Sequence, residues 1–245
     1  PRDRDVATLY AESLFLLEPR RGARDIKAPS VRRILAVLER TLSAGPPHVG
    51  ACHLLIHLTE ATSEPGRAEA CADYIGNAIP GASHINHMPS HTWNEIGRWG
   101  DSVRANIQAW HSDQKAEIGE GFAIYPTHNL HMLAFAASMD GQGAVAIQAG
   151  RDYAALLGDS MFHVLTLVRF SRFEDILDLT GPEPTGDVVS KGVWHFGQGY
   201  ARLRKGETAA ARSHLDQVET AAQADAVFRF HSAHDLLGTL AALLD

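Results

Sequence analysis

The chain of 245 residues is long enough to bury a substantial core, either as one compact domain or as one solenoid. Its 45% apolar and 21% charged residues exclude a disordered chain, and a net charge of −7 leaves no basic footprint for nucleic acid or an acidic lipid surface. No apolar run approaches the ~20 residues of a membrane span, no charged-then-apolar leader opens the sequence, and two cysteines are too few for a disulfide framework. A cytoplasmic protein with no membrane and no nucleic-acid partner is therefore expected, with Cys52 and Cys71 reduced and Cys52 a packed thiol.

Helical periodicity runs throughout, and no stretch alternates over a strand length. Residues 6–17 and 31–42 read as an opening amphipathic pair, joined by an Arg- and Gly-rich loop at 19–29. The next unit has a first helix over 52–61, a Ser-Glu-Pro-Gly turn at 63–66 and a second helix over 68–78. Pro80 and Gly81 close it, as these residues commonly do after a helix C-terminus. Residues 83–96, a turn at 97–101 and residues 102–115 make the following pair. Three looser pairs follow, at 128–149 (turn 140–143), 161–179 (turn 171–173) and 193–217 (turn 205–207), then a last helix over 226–244. Links at 119–126 and 181–186 are richer in glycine and proline. Gly197 and Gly199 fall within helical pattern and follow no strand, so they are not a dinucleotide fingerprint.

Histidine placement is the most informative feature. His53 and His57 recur as His87 and His91, each 34 residues later. That offset equals one tetratricopeptide helix pair. A His-x-x-x-His spacing puts two imidazoles one turn apart on one helical face, where both reach a single metal ion. Each predicted first helix carries one such residue: His53, His87, His128, His163, His195 and His231, at intervals of 34, 41, 35, 32 and 36 residues. His131 follows His128, and His234 follows His231. With weaker spacing, His163, His195, His231 and His234 are expected to be structural, and His48, His84, His111 and His214 solvated. Trp93, Trp99 and Trp194 are expected to pack between helix pairs.

A small residue, a turn carrying Gly97, Trp99 and Gly100, and an alanine-patterned second helix resemble the tetratricopeptide repeat. The wider phrase His53-Leu-Leu-Ile-His57, His87-Met-Pro-Ser-His91 and His128-Asn-Leu-His131 is similar to a histidine-rich group of bacterial tetratricopeptide-repeat proteins, over roughly residues 5–153. The resemblance implies an all-α fold: antiparallel helix pairs, about six of them, stacked as a right-handed solenoid. A single domain, 1–245, would have a concave groove lined by first helices, histidine-rich mainly over 48–139. It places His87 and His91 at the fifth and ninth repeat positions, which face ligand. His53 and His57 inherit those positions, and His128 fits the fifth. Relatives of this kind carry further N-terminal repeats.

Six imidazoles from three neighbouring helices are thus the candidate metal ligands: His53, His57, His87, His91, His128 and His131. Left without partners in a dry site, their nitrogens would cost ~1–3 kcal/mol each, whereas a divalent ion satisfies three or four at once. Imidazole suits copper, zinc and iron. No His-Glu-x-x-His pattern supports a zinc protease, and no obvious paired carboxylate supports a di-iron site. Nearly pure histidine ligation therefore favours copper or zinc, and two groups of three histidines match, by analogy, dinuclear copper oxidases. Glu60 shares a helical face with His53 and His57, and there it orients an imidazole, acts as a general base or is ordinary helix polarity. Tyr125 and Asn129 flank His128, within reach of a metal-bound group, and Tyr125 joins Glu60 as a catalytic candidate. Pro89, between His87 and His91, kinks their helix or marks its first turn.

No Gly-x-Ser-x-Gly motif or phosphate loop supports nucleophilic or phosphoryl-transfer chemistry. The expected function is that of a metal-dependent oxidoreductase, copper first and zinc or iron as alternatives, acting on a small organic substrate. An open coordination position would take dioxygen or water. Two other classes stay open: a zinc-type hydrolase or lyase with Glu60 as base, and a non-catalytic scaffold gripping a peptide partner. A second subunit completing the groove is a further option. A peptide groove of this family would present Lys, Arg and Asn where this one presents histidines.

Overall fold

A computed structural model describes residues 3–19, 22–119, 125–179 and 186–245. Most of the two links expected at 119–126 and 181–186 lies outside these residues, as do two positions of the loop 19–29. Among the described residues the chain is all-α apart from one short hairpin, and it divides into two compact units, 1–136 and 137–245.

In the first unit, helix α1 (Arg4–Phe15) begins at Asp3, whose carboxylate accepts from the Val6 N–H at 3.1 Å. Pro29 opens α2 (Pro29–Ser43), where its missing N–H is no loss. Val31, Ile34, Leu35, Leu38 and Thr41 of α2 recur every three or four residues, and this face is buried against α1 and α3. Full burial of side chains such as Ile34 and Leu38 stabilises the unit by roughly 1.5–3 kcal/mol each. Helix α3 (Val49–Thr59) is capped by His48, whose Nδ1 accepts from the Ala51 N–H at 3.2 Å while Nε2 meets Asp5 at 2.9 Å. His48 is therefore a cap and not a merely solvated residue.

A 3-10 turn (Pro65–Ala68) leads into α4 (Glu69–Ile75), so the helix expected over 68–78 is shorter. The helix expected over 83–96 is broken into α5 (Ser83–His87) and α6 (Pro89–Glu95), because Pro89 has no N–H to continue the ladder. Gly97, in the left-handed region at φ 79°, ends α6, and the Arg98 N–H closes back on the Trp93 carbonyl at 2.8 Å. Helix α7 (Trp99–Glu117) starts at Trp99 and is longer than expected, and α8 (Pro126–Met139) runs through the boundary of the two units. Trp93 lies under the Arg98 guanidinium, and Trp99 meets Phe135 edge-on at 5.8 Å.

Cys52 and Cys71 form a disulfide between α3 and α4, which corrects the reading of Cys52 as a packed thiol. The antiparallel hairpin sets the two residues at similar distances from its turn, with Cα atoms 4.9 Å apart, inside the range a disulfide spans.

In the second unit α9 (Gly143–Leu157) packs on α10 (Met161–Arg169), which contacts α11 (Phe173–Leu177) and α12 (Val188–Arg204). Helices α12, α13 (Thr208–Ala222) and α14 (Ala233–Leu244) pack together around Val193, Phe196, Leu215, Val218 and Leu237. The glycines of α12 serve this packing. A Cβ at Gly192 would stand 2.5 Å from Leu237, and one at Gly197 would collide with Val164. The last helix does not begin at 226: β1 (Val227–Phe228) pairs antiparallel with β2 (His231–Ser232), and Ser232 then caps α14. Among the described residues no helix is long and apolar enough to cross a membrane.

Candidate metal centre

Two histidine triads assemble in the first unit. His53 and His57 of α3 meet His84 of α5, and His87 of α5 meets His91 of α6 and His128 of α8. Within each triad, one nitrogen from each ring lies within 4.8 Å of the other two. The break at Pro89 leaves His84, His87 and His91 at spacings of three and four, one stripe facing α3 and α8. That stripe feeds both triads. The triads adjoin, with His57 and His91 rings 5.4 Å apart and His84 and His87 rings 6.0 Å apart between centroids.

The hydrogen bonds around the rings fix which nitrogens point inward. Asn106 donates Nδ2–H to the Ser102 carbonyl at 2.9 Å, so its Oδ1 faces His87 Nδ1, 3.0 Å away, as acceptor. His87 Nδ1 therefore carries the proton and its Nε2 is a lone pair. Glu60, at the C-terminal end of α3, does the same for two other rings: Oε1 lies 3.0 Å from His57 Nδ1 and Oε2 lies 2.5 Å from His91 Nδ1. These assignments follow from the partners' fixed roles. The consequence is that His87 Nε2 and His91 Nε2 face each other at 2.8 Å, with His128 Nε2 3.5 Å from His91 Nε2. In the first triad His53 Nε2 and His84 Nε2 are 3.1 Å apart.

The lone pairs of His87 and His91, opposed at 2.8 Å, require a proton or a cation between them, whereas His53 and His84 can also meet as donor and acceptor. A second proton is disfavoured on His53, His84 and His87. Burial, then the neighbouring His57, His84 and His91, pushes His53 down to about 3. Burial followed by His57 and His91 brings His84 down to about 4, and complete burial, with His91 and His128 beside it, holds His87 well below its usual value. A metal ion fits instead. Imidazole nitrogens about 2.0–2.1 Å from a tetrahedral ion are roughly 3.3 Å from one another, and the observed separations of 2.8, 3.1 and 3.5 Å bracket that value. For Glu60, burial raises the carboxyl pKa, but hydrogen bonds from His57 and His91 outweigh it and hold the group well below the usual carboxylate range.

Five of the six expected ligands fall in the triads. The sixth, His131, does not; its ring stands 6.3 Å from that of His128, and His84 takes the place foreseen for it. His84 is half-buried, not solvated. The spacing of His84 to His87 and His91 was its available signal. Asn129 is turned away from the metal centre, donating to Asp113 at 2.8 Å. Tyr125 is exposed, meets His84 edge-on at 6.3 Å and adopts a left-handed backbone at φ 62°, rare for a bulky residue. Its carbonyl accepts from the His128 and Asn129 N–H groups, starting α8. A cavity of about 700 Å³, lined by Leu9, Glu12, Val49, Leu54 and Tyr74, opens beside His53.

In the second unit, His195 and His214 are half-buried and pair through Nδ1 at 3.0 Å beside Trp194, so His214 is not solvated as expected. Burial, then His195 and Arg202, brings His214 down to about 4. His163 is buried, as a structural histidine would be, whereas His111, His231 and His234 are exposed. No family model, no curated protein and no solved structure matches this chain.

Proposed function

We propose that the two triads form a dinuclear metal centre that oxidises a small organic molecule, with copper as the metal and zinc or iron as alternatives. The opposed Nε2 lone pairs of His87 and His91 carry this reading, together with the burial and the neighbouring His91 and His128 that disfavour a second proton on His87. Three neutral imidazoles per ion, with no carboxylate in either triad, suit copper better than calcium, magnesium or a di-iron site. Copper bound there supplies a one-electron couple at each ion, a two-electron pair for oxidising substrate at the expense of dioxygen. The chain's own residues hold the ions, set ring orientation and shape the approach. Substrate enters by the cavity beside His53, and Tyr125, exposed against His84, contacts it at the first triad.

The helix pairs that carry the ligands are of tetratricopeptide type, stacked in a right-handed sense, and the groove they form is the active-site cleft. The Cys52–Cys71 disulfide supports an oxidising compartment in preference to a reducing cytoplasm, and copper oxidation chemistry suits the same setting.

Elemental analysis of tag-free protein loaded with copper tests the proposal. The wild-type chain carries two ions, and the His53→Ala/His87→Ala double variant carries none. His84→Ala loses one ion, whereas His131→Ala keeps both. A wild-type chain that takes up no metal at micromolar concentration, or a His131→Ala variant that loses an ion while His84→Ala does not, overturns the assignment.

A further inference from the structure

Glu60 touches one ring of each triad and belongs to neither. Its Oε1 lies 3.0 Å from Nδ1 of His57, a ligand of the first triad, and its Oε2 lies 2.5 Å from Nδ1 of His91, a ligand of the second. The carboxylate sits at the end of α3, about three-quarters buried, and reaches His57 by the i,i+3 spacing and His91 across the α3–α6 contact. Oε1 is hydrogen-bonded to His57 and Oε2 is in close contact with His91 Nδ1, which leaves Glu60 ill placed to take a proton from a substrate.

We infer that Glu60 is a positioning residue shared by the two metal sites, a single carboxylate that locks His57 and His91 in the Nδ1–H tautomer and so aims both Nε2 lone pairs inward. This rests on the dinuclear reading above, and it adds that the two sites are wired through one side chain. An ionised carboxylate can accept at both ends at once. No neutral side chain of the same shape can. A glutamine at position 60 accepts from one imidazole through its carbonyl oxygen, and its amide N–H groups face the other. That second ring must then present an Nδ1 lone pair and carry its proton on Nε2, where it blocks the metal. The substitution is isosteric, yet it should disable one triad and spare its neighbour. Groups that orient metal-bound histidines in this way typically contribute 10–100-fold in affinity.

Two measurements on the full-length, tag-free chain test this. Long-range ¹⁵N–¹H spectra of the metal-free protein report the tautomer of each imidazole and, from the dispersion of the same spectra, that the variant is folded. His57 and His91 should both be Nδ1–H in the wild type, and one of them should switch to Nε2–H in Glu60→Gln. Copper(II) titration should then show two tight ions in the wild type, one in Glu60→Gln with the other weakened at least tenfold, and both weakened in Glu60→Ala. A Glu60→Gln protein with unchanged tautomers and two ions at wild-type affinity overturns the inference while leaving the dinuclear centre standing. A wild-type chain with both Nδ1–H tautomers but no copper bound removes the dinuclear reading and the metal role of Glu60, while the tautomer lock itself survives.

Discussion

Asp113 bears on both triads without touching either. It is 1% exposed on α7, and it accepts hydrogen bonds from Ser83, next to His84, and from Asn129, next to His128. One carboxylate thus ties the start of α5 and the start of α8 to α7. Burial raises its pKa, and the two hydrogen bonds only partly offset that. A folded-state carboxyl pKa above the unfolded value means that the folded state holds its proton more tightly. Stability therefore falls as pH rises through the interval between the two values, and the whole cost is in force above it. Asp113→Asn keeps the shape and can still accept from Asn129, so it should raise the melting temperature at pH 7. The gain should shrink with falling pH and vanish once the carboxyl is protonated in both states. Thermal melts at pH 7 and pH 3.5 check this; a lower melting temperature at pH 7 would show that the ionised hydrogen bonds outweigh burial. At the same scale, most of the two histidine triads was legible in the sequence. His53 with His57, and His87 with His91, obey a local rule, one helical turn, reinforced by the 34-residue offset. His84 has no repeat-equivalent partner, since residue 50 is glycine, and only its packing against α3 brings it into a triad. His131 has the spacing of a ligand, but the turn from His128 carries it outside the triad.

The helices themselves were legible wherever apolar periodicity is strong, as in α2, and less so where a backbone donor or a turn decides the outcome. Pro89 split one expected helix into α5 and α6, and the hairpin at 227–232 replaced the first turns of another, both through local chemistry that periodicity does not register. The disulfide was missed for a different reason. Two cysteines in a chain of this length carry no framework signal, and only the antiparallel α3–α4 hairpin brings them together. It closes a loop with a sequence separation of 19 residues across the helix that supplies His53 and His57. Loss of loop-closure entropy in the unfolded chain makes a bond of this span worth about 3 kcal/mol. Cys52→Ser/Cys71→Ser should therefore unfold at a lower urea midpoint, displaced by that free energy divided by the m-value, with an m-value no smaller than that of the wild type because the unfolded chain is released. Adding a strong thiol reductant to the wild type should reproduce the shift, and to the variant should do nothing. Equal midpoints for oxidised and reduced wild type would mean that the α3–α4 pair holds without the bond.

At the scale of the whole chain, all six triad histidines and Glu60 lie in the first unit, while the His195–His214 pair and the core around Leu237 belong to the second. A ligand stabilises what it binds by RT ln(1 + [L]/Kd), about 2.7 kcal/mol at a hundredfold excess over Kd. Local opening reactions that break the site must pay this energy, and those that leave it intact need not. Hydrogen exchange with and without copper should thus slow sharply at amides of α3, α5, α6 and the start of α8. Amides of α12, α13 and α14 that exchange through openings within the second unit should keep their rates. The slowest amides of the second unit decide the remaining question. If they too slow on metal binding, they exchange only by unfolding of the entire chain, and the two units share one cooperative transition. If they do not, the second unit opens without the first, and metal binding governs the first alone.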